Sequence, residues 1–251
     1  LFRPQSIIFD SENKLHKKFK HEKEIIDLFK IIDGTETDEN LLSFLDYDKI
    51  KEGKMCRHIV CVLPYRASCD ALEEIIKNNK FKHLSNYEIL NISGVENERK
   101  YKDTPSIQIK IKQFESENKK TLTLTVNRML TGSTVPAWDT MLYLKDTSSP
   151  QEYDQAIFRL QNQFIKVYSE PNGDTVKYNM KPQTLLVDFN PNRMFQIQEH
   201  KSQIYNVNTE SNGNSKLEER IKKELEISPI VLLNNKKIVR VEATDILDAV
   251  R

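Results

Sequence analysis

Short apolar runs that alternate with helical patterns restrict this chain to a small set of folds. Five runs have the length and composition of buried strands, at 58–63, 87–92, 121–126, 140–144 and 184–189. Helical spacing of apolar residues follows the first run and separates the fourth from the fifth. The stretch 107–114 fits either pattern, and we interpret it as a helix. Such alternation predicts an α/β fold with a mainly parallel sheet and helices on both faces.

Composition narrows the class of protein further. The chain has 251 residues, of which 38% are hydrophobic and 30% charged, and its apolar runs are too short to predict a membrane span. Its 38 basic and 37 acidic residues leave a net charge of +1, so any nucleic-acid contact must be a local groove. The three cysteines and five histidines lack the spacing of a disulfide framework or a zinc site. We therefore expect no metal site and a cytoplasmic location.

The patterns also divide the chain into three parts. Residues 1–54 are predicted to form a helical linker segment, 55–190 the α/β core, and 191–251 a small α+β extension that contains a hairpin. The chain starts at Leu1 without an initiator methionine, which suggests that it is a piece of a longer protein.

The helix predicted at 150–161 carries polar side chains suited to binding. Its apolar residues share one face, and Gln155, Arg159 and Asn162 lie together on the opposite face. A solvated helix face is the plain alternative. An arginine between two uncharged donors is nevertheless less ordinary than a stripe of lysine and glutamate.

The loop that follows the third strand is the second such segment. Gly132 permits close approach of a ligand, and the hydroxyls of Thr131 and Thr134 flank it. Open α/β sheets bind ligands at the carboxyl ends of their strands, where this loop begins. An ordinary threonine-rich connection is the plain alternative.

The order and spacing of these two segments resemble motifs V and VI of superfamily II helicases. The sequence TVNRMLTGSTVPAW matches the T-G-x-x-x-P loop, and QEYDQAIFRLQN matches the Q-A-x-x-R helix. The likeness is greatest to the helicase-type subunits of bacterial restriction-modification systems. Residues 58–76 are similar to motif IV, and Ser93–Gly94 resembles the turn that follows it. The resemblance covers about 55–190 and implies a second RecA-like domain of the P-loop NTPase fold.

The resemblance implies roles for individual residues. Arg159 corresponds to an arginine that faces the phosphates of ATP and stabilises charge during phosphoryl transfer, which would make it the catalytic residue. The sequence departs from motif VI at Asn162, where a second arginine is common in superfamily II. It departs from motif V at Thr134, which stands where an aspartate often follows the glycine of that motif. The implied nucleotide-binding residues are Gly132, Thr134, Gln155, Arg159 and Asn162. The implied nucleic-acid-binding residues are Arg66, Ser68, Ser93, Gly94, Arg128 and Thr131.

Two signatures of an independent ATPase are absent from the sequence. There is no GxxxxGK[ST] loop, and the pair Asp38–Glu39 does not follow an apolar strand as a Walker B acid would. ATP and Mg²⁺ would then be held mainly by a first RecA-like domain in the same or a partner chain. The sequence favours the second motor domain of an ATP-dependent DNA helicase or translocase, with DNA as a partner. Nuclease or methyltransferase domains are further expected partners.

Two other functions remain open at this level. Asp188, Glu199 and Lys201 fit the D…E-x-K spacing of Mg²⁺-dependent endonucleases, although such spacing arises readily by chance in a chain rich in charge. A non-catalytic nucleic-acid-binding module would share every motif except the need for Arg159 to act on ATP.

The missing phosphate loop generates a first prediction. We expect the isolated chain to hydrolyse no ATP, with or without DNA, because it cannot cradle the phosphates or hold Mg²⁺ alone. A coupled ATPase assay on protein freed of contaminating ATPase checks this. DNA-stimulated turnover by residues 1–251 would contradict it.

Overall fold

A computed structural model gives the fold in two compact units, which are described separately. The first unit comprises Leu1–Thr37, Ser43–Thr147 and Gln151–Asp188, and the second comprises Asp38–Leu42, Ser148–Pro150 and Phe189–Arg251. The structure describes residues 1–5, 17–37, 43–46, 55–95, 103–126, 134–147, 149–190, 193, 197, 214–227, 230–234 and 237–250.

The described part of the first unit contains seven strands: β1 (His58–Val62), β2 (Tyr87–Asn91), β3 (Lys120–Thr125), β4 (Thr140–Tyr143), β5 (Ile165–Ser169), β6 (Thr175–Asn179) and β7 (Leu185–Asp188). Five of them form a parallel sheet in the order β2-β3-β1-β4-β7. In the central register, Ile59 pairs with Leu122 of β3 and with Thr140 of β4. The predicted α/β class and its five sheet strands are confirmed, and the architecture is consistent with a RecA-like domain.

Among the described residues, four helices connect or precede these strands: α1 (Glu22–Asp33), α2 (Arg66–Asn78), α3 (Thr104–Ser116) and α4 (Pro150–Leu160). Helix α3 is the segment whose sequence fits two patterns. The Asp103 side chain caps it by accepting a hydrogen bond from the Ser106 amide. Ile107, Ile111 and Phe114 are buried at helical spacing, so the predicted helix is confirmed.

Both faces of the sheet are covered. Alternate residues of a strand point to opposite faces, so Ile59 and Cys61 share one face and Val60 and Val62 the other. The first face packs in one core with α1 and α2. On the other face, the ring of Tyr143 in β4 meets that of Tyr153 in α4 edge-on, with 4.8 Å between centroids.

The N-terminal segment belongs to the same core. Phe2 and Phe19 are buried together with Ile25 and Phe29, and the first two rings meet edge-on. Helix α1 begins at Glu22, so Phe19 precedes it although its spacing fits the helical pattern. Gly34 ends the helix in the left-handed conformation, at φ 78°, as its position in the sequence suggests.

The β5–β6 hairpin has no counterpart among the strands predicted from the sequence. Its strands pair antiparallel, apart from the main sheet, and all of their residues are exposed or half-buried. A strand exposed on both faces lacks the apolar run or clean alternation that marks a buried one. Its sequence therefore resembles a loop.

The second unit contains α5 (Asn214–Ile227), the hairpin strands β8 (Val231–Asn234) and β9 (Lys237–Arg240), and α6 (Ala243–Val250). Its small core contains Ile221, Leu225, Ile230, Val241 and Ile246. The C-terminal helix and hairpin predicted from the sequence are confirmed. No helix in the described part of the chain is long and apolar enough to cross a membrane.

The Glu115 carboxylate joins three elements at the amino end of the sheet. It accepts hydrogen bonds from Arg57 and His58 at 2.9 Å, where β1 begins, and from Lys166 of β5 at 2.8 Å. Burial would raise the pKa of Glu115, but the hydrogen bonds from His58, Lys166 and Arg57 outweigh it and hold the pKa well below its usual range.

Lys181 forms a second junction, just after the hairpin. Its ammonium group donates to the carbonyls of Pro136 (2.8 Å), Trp138 (2.9 Å) and Leu160 (2.8 Å), and only 5% of the residue is exposed. These carbonyls belong to the segment that leads into β4 and to the last turn of α4. Lys181 thereby fixes the end of α4 against the start of β4.

The buried ammonium generates a second prediction. Burial lowers the pKa of Lys181 to about 8, whereas a lysine in the unfolded chain titrates near 10.4. Between these values the unfolded chain keeps a proton that the folded protein has lost, so this group makes the free energy of unfolding rise with pH. We expect the difference in that free energy between wild type and Lys181→Met to grow by on the order of 2 kcal/mol from about pH 8 to about pH 10.

Urea titrations across this range would measure the difference, with the exposed Lys80→Met as the matched control. A difference that is independent of pH would contradict the prediction.

Candidate functional site

Arg159 and Thr134, both predicted to bind the nucleotide, are in contact in the structure. The Arg159 guanidinium, half-buried in the last turn of α4, donates from Nη1 to Thr134 Oγ1 at 3.0 Å. The side-chain amide of Gln108 in α3 donates to the Thr134 carbonyl. Thr134 is therefore held from two sides, by side chains of two different helices.

The other predicted residues of α4 have different surroundings. Tyr153, Ala156 and Leu160 are buried as predicted, and Gln155 is exposed. Asn162 lies beyond the end of the helix and donates to the Phe158 carbonyl at 3.1 Å, which caps the last turn. Of the three polar residues predicted to share this face, Arg159 is the one that the structure shows in contact with Thr134.

The pair lies near the amino end of β4, which corrects the expected position of Thr134. The loop leaves the carboxyl end of β3, but Pro136 and Trp138 already contact Lys181 beside the end of α4. The Asp139 amide then donates to the His58 carbonyl at the start of β1. Thr134 therefore lies on the amino side of the sheet and not at the carboxyl end of β3.

A second group of predicted residues lies at the carboxyl ends of β1 and β2. Arg66, in the first turn of α2, donates from Nε to the Ser93 carbonyl at 3.2 Å and from Nη2 to the Gly94 carbonyl at 3.1 Å. The residues that resemble motif IV and the turn after it are therefore in direct contact. This is the edge at which open α/β sheets bind ligands.

The two serines of this group have protein partners. The buried Ser68 hydroxyl donates to the Phe2 carbonyl at 2.8 Å. The buried Ser93 hydroxyl is hydrogen-bonded to the Thr125 hydroxyl, with 3.1 Å between the two oxygens. Of the predicted phosphate contacts at this edge, the half-buried Arg66 is therefore more exposed than Ser68 or Ser93.

Side chains that sequence reasoning missed hold the turn at Ser93–Gly94. Asn91 donates to Asp70 at 2.7 Å and to Glu73 at 2.8 Å, and accepts from the Gly94 amide at 2.8 Å. Asp70 also accepts from the Val95 amide at 2.9 Å. No sequence signal identifies this network, because its members belong to different elements and match no motif.

Several predicted residues lie outside the described part of the chain. These are Arg128, Thr131, Gly132, Glu199 and Lys201. Asp188 ends β7, in register with Tyr143 of β4, so it lies at the carboxyl edge of the sheet. Within the described ranges, no three histidines, cysteines or carboxylates are grouped so that they could hold a metal ion.

The cysteines do not offer a nucleophile. Cys56, Cys61 and Cys69 are free thiols and are buried. Burial raises the pKa of Cys56 to about 12 and raises the pKa of the other two as well. Since the thiolate is the reactive form, none of the three is suited to covalent catalysis near neutral pH.

Comparison with known proteins gives one informative match. No protein-family model matches the chain. The chain is 30% identical over 156 residues to a Mycoplasma pneumoniae protein named as the C-terminus of a putative type II restriction enzyme and methyltransferase. The match covers 62% of this chain and 20% of the length of that protein.

The crowded turn generates a third prediction. A Cβ atom at Gly94 would lie 2.0 Å from Asp70 Oδ1 and 2.6 Å from Asn91 Nδ2, both held in hydrogen bonds. We therefore expect Gly94→Ala to lower the free energy of unfolding by about 1–3 kcal/mol, as measured by thermal or urea unfolding. Gly173→Ala is the comparison variant: its Cβ would have nothing within 4 Å, so any loss there measures the strain of its φ of 89° and not crowding. No measurable loss in Gly94→Ala would contradict the steric argument.

Proposed function

We propose that this chain supplies the second motor domain of an ATP-dependent DNA translocase in a restriction-modification system. The contact between Arg159 and Thr134 carries the proposal, because it joins the motif VI helix to the motif V loop. The parallel sheet supports it, since its architecture is consistent with a RecA-like domain. The name of the Mycoplasma pneumoniae relative supports the restriction-modification setting.

The residues present fit the phosphate part of ATP. Arg159 provides a fixed cation and Thr134 a hydroxyl, and a guanidinium can bridge a hydroxyl and a phosphoryl oxygen because it carries five N–H donors. The carbonyl contacts of Lys181 hold the end of α4 in place, so the cation is positioned before substrate binds.

The sequence has no GxxxxGK[ST] loop and no Walker B acid pair, so a second domain would have to supply both. ATP and Mg²⁺ would be held mainly by a first RecA-like domain, of the same or a partner chain. Mg²⁺ neutralises phosphate charge when it is bound there. Arg159 would supply the remaining positive charge as the phosphoryl group transfers, and Gln155, Gly132 and Asn162 remain proposed nucleotide contacts.

The DNA contact is proposed at the carboxyl edge of the sheet. Arg66 is half-buried and held by the carbonyls of Ser93 and Gly94, so its charge lies beside a turn whose backbone a phosphate could approach. Arg128 and Thr131 remain proposed contacts. Contacts of this kind position the strand without reading its sequence. Nuclease or methyltransferase activities would come from other parts of the assembly.

An endonuclease is the second candidate. Asp188 lies at the carboxyl end of a sheet strand, where a carboxylate can hold Mg²⁺ beside DNA. The relative's name includes a restriction enzyme. Glu199 and Lys201 would complete that site.

The arginine generates a fourth prediction. In the full-length protein, Arg159→Ala should lower DNA-stimulated ATP hydrolysis by about 10³-fold or more, because supplied arginines contribute roughly 10³ to 10⁵ in rate. ATP affinity should change much less, since the first domain dominates binding. Arg159→Lys should restore only part of the rate, because lysine lacks the planar fork. Steady-state kinetics and ATP titration measure both quantities, with the exposed Arg220→Ala as the matched control.

The same variants separate the two candidates. A folded Arg159→Ala protein with nearly wild-type hydrolysis would contradict the motor assignment. ATP-independent, Mg²⁺-dependent DNA cleavage that Asp188→Asn abolishes and Arg159→Ala leaves intact would favour the endonuclease.

A further inference from the structure

The β5–β6 hairpin exposes large apolar side chains. Tyr168 is 46% exposed and Tyr178 54%, and their rings meet edge-on with 5.5 Å between centroids. Ile165 and Val167 are also exposed, but on the opposite face of β5, because alternate residues of a strand point to opposite faces. A contiguous exposed apolar patch such as the tyrosine pair marks a candidate interaction surface.

A cavity opens at the base of this hairpin. It has a volume of about 310 Å³ and lies between α3, the segment leading into β4, and the first residues of the hairpin. Its apolar lining includes Ile111, Phe164 and Ile165, and its polar lining includes Gln108, Lys112 and Gln163. The volume is at the lower end of the range for small-molecule sites, which suits one nucleotide.

The charge of the cavity selects among ligands. Among the described residues, its lining includes Lys112 and no aspartate or glutamate. Glu115, one turn beyond Ile111 in α3, already accepts hydrogen bonds from Arg57, His58 and Lys166. Lys166 also lies 5.9 Å from the centroid of the Phe164 ring, beside the cavity. An anion with a flat apolar part fits this environment.

The hairpin beside the cavity also carries both lysines and aromatic side chains. Lys166 is the cross-strand neighbour of Tyr178 and shares its face, and the exposed Lys177, which precedes Tyr178 in β6, lies on the opposite face. Aromatic rings interleaved with cations are the composition of surfaces that bind single-stranded nucleic acid, because each base can stack and each phosphate can meet a charge.

We propose that the cavity and the hairpin tyrosines together bind a single DNA strand. One base enters the cavity between its apolar walls, with the amides of Gln108 and Gln163 at its edge and Lys112 at its phosphate. The adjoining bases stack on Tyr168 and Tyr178. The inference takes its partner, DNA, from the proposed function, but places the contact away from the residues that resemble helicase motifs.

Binding of a fluorescein-labelled dT12 oligonucleotide to the chain, followed by anisotropy, tests the proposal. Tyr168→Ser and Tyr178→Ser should each weaken binding about fivefold or more, as expected for the loss of a stacking platform. Lys112→Gln should reduce the slope of log K against log salt by about 0.7, the value for one phosphate contact on a single strand. Ala137→Leu, which fills the cavity, should also weaken binding.

Phe158→Ser is the matched control, because Phe158 is an exposed aromatic residue outside the hairpin and the cavity. Thermal unfolding of every variant confirms that the fold is retained. Unchanged affinity in both tyrosine variants, or equal loss in Phe158→Ser, would overturn the proposal. Binding of free ATP or dTMP with the same dependence on Lys112, and none of dT12, would overturn it in favour of a free nucleotide.

Two further outcomes are informative. Dimerisation that the Tyr168→Ser/Tyr178→Ser double variant abolishes, without any binding of dT12, would overturn the proposal in favour of a second copy of the chain. The test of this surface is independent of the test of the motor assignment. Loss of dT12 binding in the hairpin variants would support it even if Arg159→Ala retained full ATP hydrolysis.

Discussion

Burial of β1 on both faces is the constraint on which the rest of the structure depends. All of its residues are buried, and both of its edges pair with parallel neighbours. A strand in this position must be covered by helices on each side, and parallel pairing requires a crossover to each neighbour. Charged side chains of the central strands β1, β3 and β4 therefore lie at or beyond the strand ends. Any chemistry of the domain must be built there.

The buried charged side chains have different kinds of partner at the two ends of the sheet. At the amino end, Glu115 is surrounded by cations, and Lys181 is satisfied by carbonyl dipoles without a carboxylate. At the carboxyl end, Arg66, Asp70 and Asn91 hold the backbone of a single turn. Buried charges need such partners because desolvation of an unpaired ion costs several kcal/mol.

These two ends give the proposed motor a physical basis. Arg159 lies near the amino end of β4, where Lys181 fixes its helix, and Arg66 lies at the opposite edge. The hairpin is inserted between Leu160 and Lys181, and the Lys181 ammonium closes that insertion onto the Leu160 carbonyl. A strand bound at the hairpin would thus contact an element joined directly to the end of the Arg159 helix. A separate DNA contact and the proposed nucleotide contact would share one rigid junction.

The sequence by itself determined the α/β class, the five sheet strands and the helices at 107–114 and 150–161, because burial leaves a periodic apolar pattern. It also placed Arg159 and Thr134 in segments that meet. Only the tertiary structure decided that Thr134 lies near the amino end of β4, that Asn162 caps its own helix and that Ser68 bonds to Phe2. The exposed hairpin and the Asp70–Asn91 network likewise left no local pattern. Contacts between residues far apart in the chain depend on how elements pack, and periodicity within one element carries no record of them.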